Sequence, residues 1–189
     1  YFEKAIEKGN EKVALFNYAD ILMNERNKET TETKRNDLYK KAFIYYKESA
    51  KQGFPPSQYR YAKLILELLK KQEMNESYNL NDSQSDDSIF TENDIDYKTV
   101  EANLKSASNS GYPKAKIDYA KFLIKVKNEN KKGAKIFKKM ADEEGNSEAM
   151  YRYGKMLFKG FHFINNKKVD SFEQNIQSFV IFFFFQFHC

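Results

Sequence analysis

Ala149-Met150-Tyr151-Arg152-Tyr153-Gly154-Lys155-Met156-Leu157 sets a small residue four places before a tyrosine, a second small residue just after it, and a leucine three places further on. The same pattern occurs at Ala14, Tyr18, Ala19 and Leu22, at Ser57, Tyr61, Ala62 and Ile65, and at Ala115, Tyr119, Ala120 and Leu123. These offsets of 0, 4, 5 and 8 lie on one face of an α-helix, so the residues are expected in the core. Each copy follows a glycine, Gly9, Gly53, Gly111 or Gly145, that closes an earlier amphipathic stretch. The repeating unit is therefore a pair of helices. A unit this short cannot bury a core alone and has to stack on its neighbours, which predicts an all-α solenoid of antiparallel helix pairs.

Outward from these copies, the pattern predicts first helices near 11–26, 56–72, 113–128 and 147–159, and second helices near 1–8, 36–52, 97–110 and 131–144. Pro56 and Pro113 fall in first turns, where a missing N–H does no harm, and Phe54 and Tyr112 stand where they can staple the turn. Asn128 or Asn130, Asp94 or Asp96, and Asn146 are the expected N-caps. Gly53, Gly111 and Gly145 fit the left-handed position that ends a helix. Ala5, Ala107 and Ala141 recur four residues before a glycine, with Ser49 and Ala50 in the equivalent place, and let neighbouring helices approach closely.

The second-helix pattern ending Ala-x-x-x-Gly, together with the tyrosine-bearing first helix, resembles the Sel-one-like repeats, relatives of the tetratricopeptide repeats. The resemblance covers about residues 1–160. It is strongest in the third and fourth copies and weaker in the first two, where Ala19 and Ala62 replace a glycine and Ser57 replaces the first alanine. It implies a right-handed superhelix that holds proteins together, hence a scaffold or adaptor role. Copy spacings are 43, 58 and 34 residues, against about 34 in a tetratricopeptide repeat. The repeat-bearing segments run near 11–52, 56–110, 113–144 and 147–159.

The 58-residue spacing holds an insertion at 73–96. Glu73 to Glu101 contains nine acidic residues and one lysine, a composition too polar to bury and expected to be disordered. It is readable as a tolerated surface insertion or as an acidic docking segment. Without its charge of −8, the net charge of +5 becomes +13 for the rest. A basic body beside an acidic loop allows an intramolecular competitor, or an acidic partner such as a peptide, a membrane surface or nucleic acid.

Tyr1 reads as the start of a second helix whose first helix is missing, so the chain is expected to be a fragment. Residues 161–189 read as a degenerate or non-native apolar tail. Its apolar run, Phe179 to Phe185, is seven residues, far short of the ~20 needed to cross a bilayer, so membrane insertion is not expected. Cys189 is the only cysteine, which excludes an intrachain disulfide. His162 and His188 do not make a metal-ligand pattern. The chain holds no phosphate loop, nucleophile elbow or zinc motif, so neither catalysis nor a cofactor is expected. A cytoplasmic location is favoured for the fragment.

If first helices line the concave surface, the inward row falls two residues before and two after each tyrosine: Phe16 and Asp20, Tyr59 and Lys63, Ile117 and Lys121, Tyr151 and Lys155. Tyr59, Lys63, Ile117, Lys121, Tyr151 and Lys155 are the candidate groove residues, with the lysines also readable as a solvated face. The structural positions are Ala14, Tyr18, Ala19, Tyr61, Ala62, Ala115, Tyr119, Ala120, Ala149, Tyr153 and Gly154. The expected function is a protein-interaction scaffold binding a peptide or protein segment in that groove, with acidic segments among the partners considered. A nucleic-acid-binding helical repeat, disfavoured by the irregular spacing, and a regulatory region of a larger enzyme such as a kinase are the alternatives.

Overall fold

The computed structural model describes residues 11–73 and 95–158. The expected helix at 1–8 with Ala5 and Gly9, most of the acidic insertion, the tail, both histidines and Cys189 lie outside the described residues. Among these, seven α-helices and no strand are found. They are α1 (Glu11–Lys28), α2 (Glu32–Lys51), α3 (Pro55–Glu73), α4 (Tyr97–Asn109), α5 (Pro113–Lys125), α6 (Asn130–Glu144) and α7 (Ser147–Phe158). The described residues form an all-α helical repeat, with consecutive helices packed on one another within each unit. The chain divides into two compact units, Tyr1–Ala115 and Lys116–Cys189.

The turns follow from backbone chemistry. Gly53 and Gly111 adopt φ of 74° and 82°, a left-handed region that side-chain-bearing residues reach only at a cost. The amides of Gly53 and Phe54 then bond to the carbonyls of Ala50 and Ser49, and those of Gly111 and Tyr112 to Ser108 and Ala107, closing the helix ends in Schellman fashion. Asp96 caps α4 by accepting from the Thr99 amide, and Asn146 caps α7 by accepting from the Ala149 amide at 2.9 Å. The expected cap of α6 is different. Glu129 occupies that place without a side-chain capping bond, Asn130 is already helical, and Asn128 takes φ of 56°. Asn128 therefore lies in the turn that ends α5, because asparagine is among the few non-glycine residues that tolerate left-handed backbone. For the same reason α5 stops at Lys125, three residues before the predicted end.

In the first unit α1 packs on α2, α2 on α3, and α3 on α4. Ala19, Leu22, Tyr61, Ala62 and Ile65 are buried, as the repeat pattern requires, and so are Tyr39, Ala42, Phe43 and Tyr46 of α2. The rings of Phe43 and Tyr61 meet edge to face at 5.1 Å. Burying a side chain of this size contributes about 1.5–3 kcal/mol, so the α2–α3 contact is a main source of cohesion. Tyr18 departs from the core expectation. It is half-buried, its ring set edge-on to Tyr45 at 4.9 Å.

In the second unit Ala120 of α5, Ala134, Phe137 and Met140 of α6, and Ala149, Tyr153, Met156 and Leu157 of α7 form one apolar cluster. Tyr119 and Gly154 are half-buried, while Ala120 and Ala149 are fully enclosed, as is Ala115 at the end of the first unit. A Cβ placed on Gly133 would lie 2.4 Å from Ile124 Cγ1 and 2.8 Å from the Ala120 carbonyl oxygen. α5 and α6 thus approach closely because position 133 has no side chain.

Candidate functional site

The two inward positions predicted on each first helix have separate fates. Phe16 of α1 receives the ring of Phe54 at 5.4 Å, and Tyr59 of α3 receives the ring of Tyr112 at 5.4 Å. Both partners come from the residue that follows a helix-ending glycine, and both contacts seal the start of the next helix. The residues two places before the tyrosine are thus occupied by the chain's own turns. Ile117 continues the trend, being only 8% exposed and part of the second unit's apolar cluster. As a groove contact Ile117 is a correction: it is core, because an aliphatic side chain at this register turns inward against α6 and α7. Tyr151 alone in this series is open, at 53% exposure, with the Lys155 ammonium 5.9 Å above its ring.

The positions two places after the tyrosine behave otherwise in the first unit. Asp20 and Lys63 both line a cleft of about 560 Å³, within the range of sites that take small ligands or short segments. One wall is α1, through Asp20, Met23, Asn24 and Asn27. These residues stand at helical offsets of 0, 3, 4 and 7 and so share a face. The other wall is α3, through Arg60, Lys63, Leu64, Leu66, Glu67 and Lys70, and Tyr46 of α2 is the floor.

The floor is electrostatically organised. The Tyr46 hydroxyl donates to Asp20 Oδ1, and the Arg60 Nε lies 3.8 Å from the same oxygen. Burial, and then the bond to Asp20, push the Tyr46 phenol well above its ordinary range, so it stays a protonated donor at any physiological pH. Glu67 lies 3.7 Å from Lys71. Both acids of the cleft are therefore engaged with local donors or cations. Arg60, Lys63 and Lys70 are exposed along the α3 wall.

In the second unit Lys121 bonds Asp118 and Glu148, each at 3.0 Å, and Arg152 holds Glu148 at 2.8 Å. Lys121 first and Arg152 second hold the Glu148 carboxyl below its ordinary value. This lysine is committed to a local ion network, which ties α5 to α7 across a partly exposed edge.

Tyr46, Arg60, Asn24 and Asn27 were not singled out by sequence reasoning. Asn24 and Asn27 carry a legible signal, since they extend the Asp20 face by one turn. Tyr46 carries none, because its partner is 26 residues away in sequence. Among the described residues no three His, Cys, Asp or Glu side chains converge as metal ligands, and no helix is long and apolar enough to cross a membrane. No protein-family model matches the chain, and no curated protein matches it.

Proposed function

We propose that the chain is a Sel-one-like helical-repeat scaffold that binds a segment of another protein in the cleft between α1 and α3. The observation that carries this reading is the cleft itself, bounded by the first helices of two successive repeats at the register expected for a concave surface. Its lining combines apolar contact from Met23, Leu64 and Leu66 with amide and charged groups. This is the mixture that gives a binding surface both desolvation and orientation. An amide side chain supplies one acceptor and two donors, so Asn24 and Asn27 match the repeating C=O and N–H of a polypeptide.

The test is site-specific photocrosslinking of the full chain in its source cells. With the photoreactive residue in place of Asn27, partners are captured; in place of Lys139 on the exposed face of α6, the same partners are absent. Equal capture from both positions, or none from position 27, removes the cleft from consideration.

A further inference from the structure

Helix α6 carries its charges against its own axis. Lys131 and Lys132 stand in its first turn, where the helix dipole disfavours cations, and Asp142, Glu143 and Glu144 stand in its last turn, where it disfavours anions. Lys131 and Lys135 add a like-charged pair one turn apart on the exposed side of the helix. Each choice costs a little stability, and the helix would be as well solvated with the signs exchanged. A local rule broken without a gain in packing points to a functional surface.

The course of the helices then separates charge within the second unit. Lys116 at the start of α5 bonds Glu144 at the end of α6 at 2.5 Å, so the end of α5 and the start of α6 lie together at the opposite end. Where the acids gather, Asp142, Glu143 and Glu144 are taken by Lys138, Lys139 and Lys116. At the other end, residues 125–136 hold five lysines and one acid, Glu129, which takes Lys132 at 2.8 Å. Lys125, Lys131 and Lys135 are exposed and have no carboxylate partner among the described residues. Val126, 40% exposed, stands open in the turn beside Lys125.

Two features decide the kind of partner. Residues 125–136 include no arginine and no aromatic residue, so this end has neither the fork that grips single phosphates nor a ring on which a nucleic-acid base would stack. Lysines act as point charges and suit a diffuse layer of negative charge, and an open aliphatic side chain among them gains by entering hydrocarbon. We propose that the α5–α6 turn and the first two turns of α6 dock on an anionic phospholipid surface, with Lys125, Lys131 and Lys135 over the headgroups and Val126 at the acyl boundary. The contact lies on the bilayer and does not span it. It belongs to the second unit and stands whether or not the α1–α3 cleft binds a protein.

The experiment is flotation of the full chain with vesicles of phosphatidylcholine, alone or mixed with phosphatidylserine. The chain floats with the mixed vesicles only, and less as salt rises. Lys125→Gln/Lys131→Gln/Lys135→Gln lowers partition about fivefold per lysine. An equal loss of charge from the first unit, Lys34→Gln/Lys41→Gln/Lys105→Gln, leaves partition nearly unchanged, and Val126→Ser lowers it at every salt concentration. Lys131→Gln/Lys135→Gln by itself has a melting temperature at or above that of the wild type, because the dipole and like-charge costs are relieved. Equal losses in the two triple variants reduce the effect to net charge and overturn the site. A lowered melting temperature in the double variant assigns these lysines to the fold and overturns it as well. Unchanged partition in Val126→Ser overturns the apolar contact on which the choice of lipid rests. No flotation overturns the proposal, and if a single-stranded oligonucleotide then binds the wild type and not the first triple variant, the surface belongs to nucleic acid.

Discussion

The hydroxyls of Ser49 and Ser57 meet 2.6 Å apart at a point closed to solvent, where α2 delivers the chain to α3. Position 57 is alanine in the other three copies of the repeat, and position 49 lies where the second helices carry small residues. Both places carry serine in this copy, and the two hydroxyls meet each other. Ser49 also donates to the Lys12 carbonyl at 2.5 Å, so Ser57 is the donor between the two.

This direction of donation makes the pair asymmetric. Ser49→Ala strands the buried Ser57 hydroxyl and is expected to cost about 1–3 kcal/mol, whereas Ser57→Ala leaves Ser49 bonded to Lys12 and is expected to cost less. The double alanine variant, which restores the apolar contact of the other copies, is less destabilised than the sum. Urea denaturation of the four proteins measures this cycle; additive costs would mean that the serines act independently.

Gly133→Ala tests the α5–α6 approach. Alanine is favoured over glycine in a helix by about 1 kcal/mol, yet the new Cβ meets a backbone oxygen at 2.8 Å that cannot rotate away. Overpacking of this kind costs about 1–3 kcal/mol, so the clash outweighs the propensity and the melting temperature falls. A rise in melting temperature would show that α6 shifts freely.

Deletion of residues 76–94 is expected to leave the helical signal and melting temperature nearly unchanged. The Tyr97 hydroxyl donates to Glu73 Oε1 at 2.6 Å, and α3 packs along α4. The two ends of the insertion are therefore already side by side, and the four residues left form a connection of ordinary length. Loss of cooperative unfolding in a thermal melt would assign the removed segment a packing role.

Two tyrosines of one helix are expected to behave oppositely. Tyr153 is buried in the second unit's apolar cluster while Tyr151 stands 53% exposed. Tyr153→Ala is expected to cost about 3 kcal/mol or more by opening a cavity, and Tyr151→Ala to change stability by less than about 0.5 kcal/mol. Chemical denaturation separates them directly.

Acid should weaken the α5–α7 edge. The Glu148 carboxyl is held below its ordinary value of 4.5 by Lys121 and then Arg152. A carboxylate with a depressed folded value contributes stability that is present above the unfolded value and lost as pH falls through the folded one. Glu148→Gln therefore removes a contribution at pH 7, under about 1 kcal/mol because the network is partly exposed. The gap between variant and wild type closes below about pH 4.5. A gap that does not narrow at all on acidification would assign the effect to packing.

What was determined by sequence alone is everything that depends on near neighbours along the chain. Helix periodicity, the small residues at Ala19, Ala62, Ala120 and Ala149, and the left-handed glycines at 53, 111 and 145 act over at most about two turns. They specify the all-α repeat and most element boundaries. The first-helix row was legible for the same reason, since Asp20 and Lys63 are placed by helical register. Tertiary structure decided which members of that row face open space. Phe54 covers Phe16, Tyr112 covers Tyr59, and Ile117 is absorbed by the core, through contacts spanning tens of residues. The hold of Tyr46 on Asp20, the shared hydroxyls of Ser49 and Ser57, and the closeness of α6 to α5 at Gly133 arise likewise from side chains that meet only after the helices pack. Such partners leave no periodic trace in the sequence, because the distance between them is set by the angle and spacing of two helices rather than by the pitch of one.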